Sequence, residues 1–273
     1  MDSRAVKRIA CIGSGNLASS LLPALHNAGY EIVQVCSRNS QTAQLLAQAV
    51  EAAYTDTLAK LDPDADLYII AVPDNAIETV LSKAAFGSGM VVHTSGSTPM
   101  SVFEGRGVAR YGVLYPLQTF TRQRRVSFEQ IPLYVEAGSE QDLANLMLVA
   151  HKLSVNVHKA ASEERMKLHI AAVFTCNFSN HLLAIASRLL RDSGLSFNAL
   201  KPLIRETFER AMQVDEPDTV QTGPAARGDD KIVSRHVEAL SDYPLIRQIY
   251  SLISESIGLN TIVRKPENIN IEN

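Results

Sequence analysis

Two stretches of this sequence hold side chains able to do chemistry. The first is a long apolar run, Ile170 to Leu190, preceded by Lys167 and His169 and broken by Asn177, Asn180 and His181. An imidazole can give or take a proton near neutral pH, and a carboxamide can orient it or hold a substrate. At 100° per residue, His169, Val173 and Asn177 fall within about 80° of one another, and His169 and Asn180 within about 20°. Lys167, Asn177 and His181 form a second stripe about 80° wide. Such a face either offers donors and acceptors to a crevice or ties helices together. Partners are expected either way, because an unpartnered buried amide or imidazole costs about 1–3 kcal/mol. The second stretch is Gly13-Ser14-Gly15-Asn16-Leu17-Ala18, set between an apolar run ending at Ile12 and a helical pattern reaching Ala28. Gly-x-Gly at a strand–helix turn places backbone N–H groups against a phosphate. Gly13 permits the tight turn, and Gly15 lets a pyrophosphate approach without meeting a Cβ. Ser14, Asn16 and Leu17 complete the cradle, and Ala18 fills the small third position. The alternative is a plain structural turn.

The elements that must position these residues read as alternating strands and helices. Gly29 stops the first helix, and Glu31–Cys36 is a second strand. At its end NAD-specific proteins carry Asp or Glu for the ribose hydroxyls. Here Ser37-Arg38-Asn39 stands instead. A guanidinium and a hydroxyl suit a 2′-phosphate, so NADP is expected over NAD. The alternative for Arg38 is a solvated turn arginine. A helix from Ser40 to Ala52 leads to a short strand near Ala53. The run Asp66–Val72 is apolar nearly throughout, as in a strand buried on both faces of a parallel sheet. It delivers Val72 and Pro73 to the crevice that forms at the carboxyl ends of such strands. Met90–His93 delivers Thr94 and Ser95, whose hydroxyls can bond a nicotinamide carboxamide or a substrate oxygen. Tyr111–Phe120, containing Tyr115, is a sixth strand with a polar exit, and Ile131–Ala137 is a seventh. A helix from Glu140 to Leu153 and a strand at Asn156–His158 close the first domain. The alternation predicts an α/β fold, a doubly wound and mostly parallel Rossmann sheet over residues 1–158.

Residues 159–273 read as helices only. Ser162 is placed to cap a helix, and Glu163 and Glu164 suit its positive end. That helix reaches about Asp192, with Gly194 as its stop. It is apolar on nearly all sides, so it is expected to be buried, wrapped by other helices, by a dimer partner, or by both. A second helix follows between Asn198 and Val214. The long loop from Glu216 to Asp230 contains Thr222-Gly223-Pro224 and Arg227, which suit a substrate carboxylate or phosphate or else a rigid turn. Asp229 is a candidate N-cap, and a last helix runs from Pro244 to Ser256 with Gly258 as its stop.

The formal net charge of −3 gives no reason to expect a nucleic-acid or membrane partner. Arg122, Arg124 and Arg125 are the densest basic cluster, read as a solvated loop over an anion site. The three cysteines are too few for a disulfide framework and fit a cytoplasmic protein. The short lead into the first strand leaves no room for a signal peptide. No Cys or His spacing suggests a metal site.

Several of these motifs together resemble one bacterial family. They are the Gly-Ser-Gly-Asn-Leu-Ala turn, Ser37-Arg38, Ala71-Val72-Pro73-Asp74, His93-Thr94-Ser95-Gly96, Tyr115-Pro116-Leu117-Gln118 and Thr222-Gly223-Pro224-Ala225-Ala226-Arg227-Gly228-Asp229. Its members join a Rossmann-like NADP oxidoreductase domain to a C-terminal helical domain of unknown function. More distantly the chain is similar to ketopantoate reductase, pyrroline-5-carboxylate reductase and the 6-phosphogluconate dehydrogenase-like superfamily. The resemblance implies hydride transfer to or from a small carbonyl, imine or hydroxy-acid substrate, and dimerisation through the helical domain. Ketopantoate reductases carry a catalytic Lys where this chain has His169, then Asn where it has Val173 and Asn177. An imidazolium can also protonate an alkoxide, which makes His169 the candidate acid and Asn177 its orienter or a substrate ligand. Family members often carry His at Tyr115, and a phenol can still donate. Residue chemistry and placement together with the resemblance make His169, Asn177 and Ser95 the catalytic candidates, with Tyr115, Lys167, His181 and Arg227 toward substrate. The different class of reading is a dinucleotide-binding sensor or scaffold without turnover.

Overall fold

The computed structural model describes residues 5–124 and 126–264. Arg125 of the basic cluster and the tail from Lys265 lie outside the described residues. The chain separates into two compact units, Met1–Phe178 and Ser179–Asn273.

The first unit is built on one eight-stranded sheet with strand order β3-β2-β1-β4-β5-β6-β7-β8. In chain order it runs β1 (Arg8–Ile12), α1 (Ala18–Asn27), β2 (Glu31–Cys36), α2 (Ser40–Ala49), β3 (Ala53–Thr55), β4 (Leu67–Ile70), α3 (Asp74–Lys83) and β5 (Met90–His93). It continues with β6 (Tyr111–Pro116), β7 (Leu133–Ala137), α4 (Glu140–Leu153), β8 (Val157–Lys159) and α5 (Ser162–Ala172). Strand residues alternate between the two faces. Ile9, Cys11, Leu67, Ile69 and Val92 pack on one side with Leu21, Leu25 and Leu146. Ala10, Ile12, Tyr68, Ile70 and Val91 pack on the other with Ile77, Leu81 and Phe103. Both faces are covered, which is why β4 and β5 are buried at every position. The carboxyl ends of the parallel strands β1, β2, β4, β5 and β6 therefore lie along one edge. The sheet is mostly parallel, as expected, and β7 is the exception: it pairs antiparallel with β6, and parallel pairing resumes between β7 and β8 across α4. Among its described residues the connection from Leu117 to Pro132 contains no helix, and a parallel return needs a crossover that a helix usually supplies.

The long helix begins as α5, passes through a π-helical segment at Val173–Phe178, and continues in the second unit as α6 (Ser179–Asp192). Gly194 follows with φ +72°, the expected stop. The π segment inserts a residue relative to α geometry, so positions after it are rotated by about 100° from an ideal projection. The 100° projection from His169 therefore does not carry through this segment. Burial also departs from expectation. Arg165 is the buried residue of α5, and none is buried in the π segment or α6. Phe174 is 62% exposed and Leu182 41%, against the burial expected of so apolar a helix. By length and composition alone the helix could cross a membrane. Its first turns are instead tied to the sheet through Arg165, as described below.

The second unit continues with α7 (Lys201–Ala211), α8 (Pro224–Arg227), α9 (Asp230–Ala239) and α10 (Pro244–Arg264). Asp229 caps α9 as expected, accepting the Ile232 N–H at 3.2 Å. α10 runs through Gly258 instead of ending there. One interior glycine costs only about 1 kcal/mol against alanine, too little to break a packed helix.

Candidate active site

The Gly13–Gly15 turn sits where β1 hands over to α1. Gly13 has φ +116°, and a Cβ there would lie 2.1 Å from the Ala71 carbonyl oxygen. Only glycine satisfies both the conformation and the contact with β4. Over Gly15 a Cβ would meet nothing within 4 Å, which leaves the approach open that a phosphate needs. This turn, the end of β2 and the Val72-Pro73 exit of β4 enclose a cavity of about 490 Å³. Ser14, Ser37, Arg38, Val72 and Pro73 all line it. Asn16 and Leu17 lead into α1, with Asn16 exposed. The Ser14 hydroxyl contacts the Ser37 hydroxyl at 2.9 Å and the Thr42 hydroxyl at 2.6 Å. Asn39 caps α2 by accepting the Thr42 N–H at 3.1 Å. A glycine cradle, a hydroxyl cluster and an arginine in one cavity match the phosphates of a dinucleotide.

A second cluster lies at the ends of β5 and β6. The Tyr115 hydroxyl is 3.1 Å from His169 Nδ1. The rings meet edge to face, with centroids 6.0 Å apart. Gly96 lies against both, since a Cβ on it would fall 2.7 Å from His169 Nδ1 and 2.7 Å from Tyr115 Cζ. Burial, then the charge of Asp74, pushes the Tyr115 phenol up to about 12, so it keeps its proton.

The remaining residues of this loop are engaged locally. Ser95 Oγ accepts the N–H groups of Ser97 at 3.1 Å and Thr98 at 2.8 Å, pinning the turn. Thr94 donates its hydroxyl to the Ile70 carbonyl at 3.3 Å. His93 accepts the Ser95 N–H at Nδ1 and is fully buried beside Phe103. Burial, then the Arg165 charge, pushes the His93 imidazole down to about 3.

The loop is held from behind by Arg165, which is 1% exposed. Its Nε donates to the Ser95 carbonyl at 3.2 Å and its Nη2 to the Thr98 carbonyl at 2.6 Å. Its Nη1 pairs with the Glu136 carboxylate of β7. Ser162 was expected to cap α5. Ala161 occupies the cap instead, its N–H donating to Glu164 at 2.9 Å, and the Ser162 hydroxyl donates to Glu136. The carboxylate pulls Ser162 inward because Glu136 needs donors beyond the guanidinium. His169 lies four residues after Arg165, one turn along the same face of α5. One ion pair thus fixes both the Gly96 loop and the helix that carries His169.

Sequence reasoning missed Arg165, because a charged residue amid Glu163, Glu164 and Lys167 reads as solvated. It also placed Arg122 in a solvated loop, whereas Arg122 Nη2 donates to the Ser14 carbonyl at 2.7 Å and lines the dinucleotide cavity. Lys167 and Asn177 belong to the first unit and are exposed. His181 and Arg227 belong to the second and are exposed as well.

Comparison with known proteins agrees with this geometry. Residues 8–95 match the family model described as NADP oxidoreductase, coenzyme F420-dependent, and residues 131–257 match a domain of unknown function, DUF2520. A solved Bacteroides fragilis protein titled "putative NADP oxidoreductase" is 44% identical, with a TM-score of 0.84, over 93% of this chain and 98% of that one. The chain belongs to this family of Rossmann-type NADP oxidoreductases with a C-terminal helical domain. An imine reductase from Myxococcus stipitatus, solved in complex with NADP+, shares the fold of this oxidoreductase at 15% identity and a TM-score of 0.64, over 94% of this chain and 95% of that one. A 1-pyrroline-5-carboxylate reductase from Streptococcus pyogenes does so at 12% and 0.59, over 92% and 98%. No curated protein matches the oxidoreductase in sequence.

Proposed function

We propose that this oxidoreductase uses NADP to move a hydride to or from the carbonyl or imine carbon of a small, carboxylate-bearing metabolite. The observation that carries the reading is the Tyr115–His169 pair. It stands at the carboxyl ends of β5 and β6, on the sheet edge that holds the Gly13–Gly15 cradle. When bound, the nicotinamide supplies the hydride. The chain must then supply a proton to the substrate nitrogen or oxygen, and His169 is the group for it. As an imidazolium, His169 donates Nδ1–H to the Tyr115 oxygen, which fixes the ring and leaves Nε2–H for the substrate. Tyr115 keeps its own O–H, free to hold a substrate oxygen. The buried Arg165–Glu136 pair keeps both rings in register, and Ser95 shapes the turn beside them.

Asn177 and Lys167 are assigned to orienting the imidazole and holding the substrate, with His181 and Arg227 toward its anionic end. What supports them is their chemistry, and for Asn177 and Arg227 also their place in the motifs of the resemblance. A homodimer completes the reading, its support being the exposed apolar side chains of Phe174 in the first unit and of Leu182 in the second. The test is steady-state NADPH oxidation with a panel of 2-keto acids and cyclic imines. Activity with at least one imine or keto acid, lost in His169→Ala, is expected. Equal activity in His169→Ala and Asn177→Ala would remove those residues from the chemistry.

A further inference from the structure

The connection between β6 and β7 sends one side chain a long way across the sheet edge. Arg122 reaches the middle residue of the glycine turn, 108 positions earlier in the chain, through the 2.7 Å bond to the Ser14 carbonyl. Ser14 is also the hub of the hydroxyl cluster with Ser37 and Thr42. That cluster sits at the end of β2 and the start of α2, where a Rossmann fold holds the adenosine ribose. Arg38 and Arg122 both line this cavity, and its wall carries one acid, Asp56. Two guanidinia, a capped helix N-terminus and a set of hydroxyls therefore surround the place where NADP and NAD differ. The difference is one phosphate monoester on the 2′ oxygen, with close to two negative charges at neutral pH. A single arginine leaves part of that charge uncompensated.

We propose that Arg122 is a second ligand of the 2′-phosphate, together with Arg38, and a determinant of NADP over NAD; this rests on the NADP reading above. The Ser14 carbonyl takes one edge of the guanidinium and leaves its other N–H groups for phosphate oxygens, a fork geometry that lysine lacks. The pyrophosphate needs neither arginine, because Gly15 and the N-terminus of α1 already serve it.

The experiment is calorimetric binding of NADP+, NAD+ and 2′,5′-ADP to the full chain, as wild type, Arg122→Gln and Arg122→Lys. Arg122→Gln is expected to weaken NADP+ and 2′,5′-ADP about tenfold or more, the usual loss for one charge-assisted contact, and NAD+ by less than about twofold. Arg122→Lys should recover part of the loss, and the NADP+ difference should shrink in high salt. Equal weakening of NADP+ and NAD+ would overturn the inference and move Arg122 to the pyrophosphate. Unchanged binding of all three would overturn it outright. A wild-type chain that binds NAD+ and NADP+ equally would instead refute the NADP reading on which it rests. Thermal melting of each variant separates a lost ligand from a lost fold, and Arg122→Lys keeps the test valid if the Gln variant melts early.

Discussion

Replacing Gly96 by alanine tests the active-site geometry most sharply. The added Cβ would stand 2.7 Å from His169 Nδ1, 2.8 Å from its Cγ and 2.7 Å from Tyr115 Cζ. Ordinary van der Waals contact begins at about 3.4 Å, so something must yield by roughly 0.7 Å. Gly96 is not among the residues with positive φ, so alanine suits its backbone and the whole effect is steric. The loop cannot retreat, because Arg165 holds the Ser95 and Thr98 carbonyls from the other side. The two rings must therefore part, and their 3.1 Å contact stretches beyond hydrogen-bond range. A displacement near 1 Å in a reacting group costs on the order of 10²-fold in rate, or about 2.7 kcal/mol of barrier. NADP+ affinity should change little, since the Gly13–Gly15 cradle and Arg38 lie on other strands. Stopped-flow NADPH oxidation gives the rate and calorimetry gives the affinity. A Gly96→Ala rate within twofold of wild type would mean that the contact between the two rings does not carry the rate. So would a loss of rate matched by an equal loss of NADP+ binding.

Other outcomes follow from the same contacts. Gly13→Ala, which drives a Cβ to 2.1 Å from the Ala71 carbonyl at φ +116°, should abolish NADP+ binding and lower the melting temperature, and an unchanged melt would contradict the packing. Arg165→Met leaves the Glu136 carboxylate without its guanidinium and should cost about 3–5 kcal/mol in urea unfolding. For His93, held near 3 when folded against about 6.5 unfolded, the stability is fully present above pH 6.5 and is lost as the pH falls toward 3, at up to about 1.4 kcal/mol per pH unit. Unfolding midpoints at pH 7, 5 and 4 should fall less steeply in His93→Gln, and equal slopes would contradict this. Light scattering should find a dimer, and Phe174→Glu with Leu182→Glu should yield monomer. A monomeric wild type would refute the homodimer.

That Gly13, Gly15, Ser37 and Arg38 meet at one cavity was legible in the sequence, because the signal is local. Gly13, Gly15 and Ser37-Arg38 sit at the ends of apolar strands, and strand ends set the crevice. The direction of β7 was legible in principle from the helix-free connection before it, although its own residues are those of any buried strand. Arg122 was not legible, since no periodicity encodes a contact 108 positions away. Arg165 was hidden by its type, because arginine is so seldom buried that its sequence context reads as surface. The pairing of Tyr115 with His169 needed the third dimension, although each residue is a candidate by its own chemistry. The projection of the long helix failed past Val173 because a π segment carries no sequence mark.

In the proposed reaction the Tyr115–His169 pair supplies the proton while NADPH supplies the hydride. Single-turnover oxidation of bound NADPH with a cyclic imino acid, in wild type and His169→Ala, decides whether it does. The expected result is rapid oxidation in wild type and a loss of about 10²–10⁴-fold in the variant, at equal NADPH affinity. Oxidation at the same rate in both proteins would contradict it.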